Sequence, residues 1–111
     1  MSGLLLAGCG DNRVAIYGDT RAKGAMLYVD GESLGTLTRE HNIHRSPDDR
    51  DNLVASYRVD SHVLMLPRGE HLLVAKAADG ATLSLQVEVG ETTLIYFDFT
   101  ADSAWASVVL Y

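Results

Sequence analysis

Residues 82–89 read TLSLQVEV, and the alternation has no error: Leu83, Leu85, Val87 and Val89 fall on one face, Thr82, Ser84, Gln86 and Glu88 on the other. A period of two marks a strand with one buried and one wet face. After Gly90 and Glu91 comes TTLIYFDF, residues 92–99, with Ile95, Phe97 and Phe99 on one side and Leu94, Tyr96 and Asp98 on the other. The two-residue link predicts that these runs pair as a hairpin.

Working upstream, Asp79-Gly80 and Asp30-Gly31 each stand between strand-like runs, the dipeptide favoured where both central turn residues need positive φ. Pro67 and Gly69 in LPRGEH, residues 66–71, fit a type I turn. Short strands separated by turn signals about every 11 residues predict an all-β fold. The expected form is a small antiparallel β-sandwich of about seven or eight strands.

One segment has no period. Residues 39–52, REHNIHRSPDDRDN, are polar throughout and predict one long polar loop on the surface, in which Ser46, Pro47, Asp48 and Asp49 suit the start of a short helix. LVASYRV, residues 53–59, then resumes as a strand with Leu53, Ala55, Tyr57 and Val59 inward.

With 111 residues and 47% hydrophobic content the chain suits one domain. Nine Lys and Arg against 15 Asp and Glu give a formal charge of -6, with no basic cluster, so nucleic acid is not an expected partner. No run approaches the roughly 18 apolar residues of a spanning helix. The single cysteine, Cys9, has no partner for an intrachain disulfide.

Its surroundings give it another purpose. Leu6-Ala7-Gly8-Cys9 resembles the lipobox of bacterial lipoproteins, in which Leu and two small residues precede a Cys that receives diacylglycerol before signal cleavage. The resemblance implies a signal remnant over residues 1–9 with lipidation at Cys9, a tether over 10–13 and a domain over 14–111. MSGLLLAG has no Lys or Arg and is shorter than the usual 15 to 30 residues of a secretory signal, so the charged region is expected upstream of Met1. The alternative makes Leu4 to Leu6 an edge strand or a disordered tail and Cys9 a buried small hydrophobe. A lipid anchor implies a bacterial cell envelope, at the periplasmic face of a membrane. Gly10, rather than Asp, after the Cys favours the outer membrane under the sorting rule of enteric lipoproteins.

Val29, Asp30, Gly31, Gly35, Pro67, Gly69, His71, Gly80 and Gly90, spread over residues 24–100, resemble the pattern of PEGA domains. Two features depart from it: Gly35 lacks a following Thr-Pro, and residues 39–52 lengthen the connection to the strand before Pro67. The resemblance implies a small β-sandwich, envelope association and binding of surface polysaccharide or protein. It supplies no catalytic residues.

His41 and His44, close to Asp48, Asp49 and Asp51, are weak metal candidates on a loop without visible rigidity, and no metal or cofactor is expected. His71 reads as a core-edge histidine bonded to a backbone carbonyl rather than as a base. No nucleophile elbow, phosphate loop or dinucleotide fingerprint occurs, so no enzyme is expected. Trp105 and Tyr111 share a face of WASVVLY, residues 105–111, and with Tyr96 are the candidate ligand-binding aromatics, although Trp105 reads first as a core plug. Leu72 and Val74 oppose Leu73 and Ala75, which predicts that a neighbour covers this strand. The expected function is that of a non-enzymatic envelope lipoprotein, a structural or binding module attached to a membrane. The alternatives are a glycan-binding module and a small His/Asp metal-dependent enzyme.

Overall fold

A computed structural model of the chain describes residues 11–45, 53–90 and 92–109. The fold is all-β. Among the described residues nine strands form one nearly closed, mostly antiparallel sheet, in the order β7-β6-β2-β3-β4-β1-β8-β9, with β5 also beside β1. The strands are β1 (Asp11–Gly18), β2 (Met26–Val29), β3 (Glu32–Arg45), β4 (Leu53–Val59), β5 (Leu64–Pro67), β6 (Gly69–Lys76), β7 (Thr82–Val89), β8 (Thr92–Asp98) and β9 (Ser103–Val109). β3 belongs to both halves of the sheet: its first part pairs with β2, its second with β4. The two halves enclose a core that includes Leu27, Leu37 and Leu73 with Ile16, Ile95 and Phe97.

The alternation of residues 82–89 holds in β7, where Leu83, Val87 and Val89 are buried. Its partner is different. Among the described residues β7 pairs only with β6, whereas β8 lies parallel to β1 and antiparallel to β9, so residues 82–89 and 92–99 do not form a hairpin. The chain crosses from one half of the sheet to the other at Gly90, whose N–H donates to the Thr93 hydroxyl in the buried interior. A half-wet strand suits the rim. β8 buries Ile95 and Phe97 on one face and Tyr96 on the other, which suits the interior position that the parallel pairing provides.

Three turns separate in the same way. Asp30 and Gly31 both have positive φ and close the β2–β3 hairpin as expected. At residues 77–81 Asp79 keeps a negative φ; the Gly80 N–H donates to the Ala77 carbonyl, and Gly80 alone turns left-handed. Pro67 to Gly69 is not a turn within one hairpin, because β5 pairs with β1 and β6 with β2 and β7.

The segment expected as a long loop is largely strand at its start. Residues 39–45 continue β3 against β4, with Ile43 opposite Ala55 and a bulge between Arg39 and Ile43. Ser46 to Asn52 lie outside the described residues. Asp11 to Arg13, expected in the tether, already belong to β1 and pair with β5. Leu72 is 40% exposed, so the cover expected over this strand is absent among the described residues.

Two aspartates fasten distant parts of the sheet. Asp19, buried just after β1, accepts from the Phe99 N–H at 3.2 Å, the Thr100 N–H at 3.1 Å and the Thr100 hydroxyl at 2.6 Å. Its own carbonyl accepts from the Tyr57 hydroxyl at 2.7 Å. Burial pushes the Tyr57 phenol above its ordinary pKa, which keeps that donor protonated. Asp30 sits in the opposite setting, exposed on its turn, and accepts from the Leu72 N–H at 2.9 Å while facing His71 at 2.7 Å.

Candidate functional site

Two of the three aromatic candidates, Tyr96 and Trp105, meet on the outer face of β8 and β9, beside Tyr17 of β1. Tyr17, Tyr96 and Trp105 stand side by side in register across the three strands. The Tyr96 and Trp105 rings stack with centroids 5.4 Å apart and planes 4° from parallel. Trp105 is 46% exposed, while Tyr96 beneath it is buried. Trp105 is therefore no core plug: Ala104 and Ala106 pack against the core, and alternation sends Trp105 outward. Tyr111 lies outside the described residues.

On the same face, β4 and β5 share the flank of β1. β4 pairs with Ile16 to Gly18 and β5 with Asp11 to Val14, and a cavity of about 140 Å³ opens by the split. Arg13, Tyr17, Glu40, Ser56, Arg58 and Val63 are among its lining residues. Arg58 Nε lies 3.1 Å from Glu40 Oε2. Arg13 is exposed and forms no ion pair among the described residues. Two guanidiniums against one carboxylate make this spot locally positive on a chain of formal charge -6.

The histidines are placed differently from one another. His41 and His44 lie on the backbone of β3, on either side of Ile43, but their side chains, like Asp48, Asp49 and Asp51, lie outside what is described. Among the described residues no group of three His, Cys, Asp or Glu side chains converges as a metal site. His71 reaches Asp30 Oδ2 with Nδ1 and the Pro67 carbonyl with Nε2 at 2.8 Å. The carbonyl can only accept, so Nε2 carries a proton and is occupied. The Asp-His pair thus resembles two-thirds of a triad but presents no nitrogen to a nucleophile; it ties the β2–β3 turn to the junction of β5 and β6. Burial disfavours the charged Asp30 carboxyl, but the Leu72 N–H and His71 together hold it below the usual carboxylate range.

Tyr17, Arg13 and Arg58 were not among the candidates read from the sequence. A signal for the first two exists in RVAIYG, residues 13–18: Val14 and Ile16 inward leave Arg13, Ala15 and Tyr17 outward. The cavity carries no such signal, because it depends on where β4 gives way to β5. Cys9 lies outside the described residues. Among the described residues no helix is long and apolar enough to cross a membrane. No protein-family profile, curated protein or solved structure matches the chain.

Proposed function

We propose that the chain is a lipid-anchored module of a bacterial envelope, non-enzymatic, that presents a binding face at the periplasmic side of a membrane. The observation that carries this reading is the Leu6-Ala7-Gly8-Cys9 box, with β1 beginning at Asp11, two residues beyond Cys9. A lipid at Cys9 would hold the sheet against the bilayer through Gly10 alone. More than one acyl chain makes such attachment stable, each buried methylene contributing about 0.8 kcal/mol. Gly10 in the position after the Cys supports the outer membrane.

A PEGA-like domain draws support from the convergence of Asp30, Pro67 and His71, three of the positions behind the resemblance, on one set of contacts. The same engagement of both His71 nitrogens supports a structural use of that histidine over a catalytic one.

Metabolic labelling with a palmitate analogue, using native upstream DNA, tests the anchor. Wild type is expected to carry label and to fractionate with membranes, and Cys9→Ser to lose both. An unlabelled, soluble wild type would sink the proposal.

A further inference from the structure

We infer that the outer face of β4, β1, β8 and β9 binds an oligosaccharide that carries carboxylate groups, with one sugar ring on Trp105 and a carboxylate at Arg13. The inference deepens the reading of the chain as a binding module and rests on it.

Three observations meet on this face. Trp105 is held flat on Tyr96, so one side of its ring is already occupied and the other is offered to solvent as a rigid plate. The C–H face of a pyranose is apolar and flat, and packs on such a plate while its hydroxyls stay wet. Tyr17 continues the row in register and also lines the cavity, linking plate and cavity on one surface.

The cavity supplies the charge. A guanidinium recognises a carboxylate through two parallel N–H donors, and Arg13 forms no ion pair among the described residues, the Glu40 carboxylate of the same cavity being taken by Arg58. Arg58 is engaged by Glu40, which fixes its position at the rim. A neutral sugar would leave the Arg13 charge unanswered. A nucleic acid would meet a chain of formal charge -6 with only this small positive spot.

Spacing sets the size of the ligand. Arg13 is four residues along β1 from Tyr17, and Trp105 lies two strands across from it. At about 3.3 Å per residue and about 4.8 Å between strands, the separation is on the order of 16 Å, beyond the reach of one monosaccharide. The exposed Val63 lines the cavity and Met65 stands opposite Arg13 on β5, so the face is not purely polar; it is the Arg13, Arg58 and Glu40 side chains at the rim that favour a charged saccharide over an apolar partner.

Trp105 is the sole tryptophan, so its emission reports on the plate directly. The test titrates the full chain, as wild type and as Cys9→Ser, with trigalacturonic acid, with the disaccharide of N-acetylglucosamine and N-acetylmuramic acid, and with neutral cellotriose. A saturable emission change is expected with at least one acidic probe, and which of them responds tells a uronate carboxylate from a lactyl one. Affinity for cellotriose is expected to be weaker by about tenfold or more, and Arg13→Gln is expected to bring the acidic probe down to the cellotriose level, by calorimetry. Trp105→Ala, which removes the fluorescent reporter and is therefore followed by calorimetry, is expected to abolish binding of all probes while leaving the melting transition cooperative. Flat titrations with both acidic sugars overturn the inference, as does equal binding of cellotriose. A change in oligomeric state on Trp105→Ala without any saccharide response also overturns it and assigns the face to a second copy. Because Cys9→Ser is titrated alongside, a failed anchor and a failed sugar site are read separately.

Discussion

Asp19 and Asp30 do the same job in opposite surroundings. Each carboxylate spans a long stretch of sequence, from residue 19 to 99 and 100 in one case and from 30 to 71 and 72 in the other. Asp19 is buried and takes three hydrogen bonds from neutral donors; Asp30 is exposed and leans on a histidine. Water can replace the partners of Asp30 when they are lost and can reach the exposed Thr100, but it cannot reach the buried Phe99 N–H that Asp19 satisfies. The net worth of each fastening is therefore set by what remains unpaired after its removal, more than by the bonds themselves.

The widest gap between the two sites should come from Asp19→Ala, expected to destabilise by about 3 kcal/mol by leaving the buried Phe99 N–H unpaired and removing two charge-assisted bonds from Thr100. In thermal unfolding that is a fall of roughly 12 to 20 °C in Tm; a fall no larger than that of Asp30→Ala would erase the distinction. Gly18→Ala attacks the same knot from its backbone. The new methyl would lie 2.7 Å from Ala22 Cβ and 2.9 Å from the Phe97 carbonyl, so a loss of about 2 kcal/mol is expected by urea denaturation.

At the exposed site, His71→Ala should cost about 1 kcal/mol, since the Pro67 carbonyl and the Asp30 carboxylate can turn to water. Acid sharpens the contrast. The Asp30 carboxyl is held below its ordinary value in the fold, so its contribution is present at neutral pH and is lost as pH falls through that lowered value. Urea midpoints measured down the acid range should fall less steeply for Asp30→Asn than for wild type. The smallest effect belongs to Arg21→Lys. Arg21 meets Asp79 at 2.8 Å in the open, where solvent screens the pair, and also donates to the Phe99 carbonyl, so the melting temperature is expected to move only slightly.

Local order was legible in the sequence and long-range order was not. The alternation in β7, the inward Ala55, Tyr57 and Val59 of β4 and the Asp30-Gly31 turn all follow from neighbours along the chain. Gly90-Glu91 misled because two residues between two strands satisfy the hairpin pattern, while LIYF, apolar on both faces, already called for cover on two sides. Gly35 shows the limit well. Its φ is +129°, and a Cβ there would collide with the Asp60 carboxylate, which accepts from the Thr36 hydroxyl at 2.7 Å. The glycine is needed because of a residue 25 positions away, on the far side of β4. Tyr96 and Trp105 were named as candidates from the sequence, but their stacking follows from the pairing of β8 with β9, and the row with Tyr17 from the parallel register of β1 on β8.

That parallel register also orders events in time. β1 is the earliest of the described strands along the chain, yet its partners are β4, β5 and β8, and the last of these ends at Asp98. An emerging chain thus carries an unmatched edge until nearly all of it has appeared, and closing such distant pairs is slow compared with forming neighbouring hairpins. Pairing of β1 with β8 is therefore a late event in any folding that begins while the chain is still emerging.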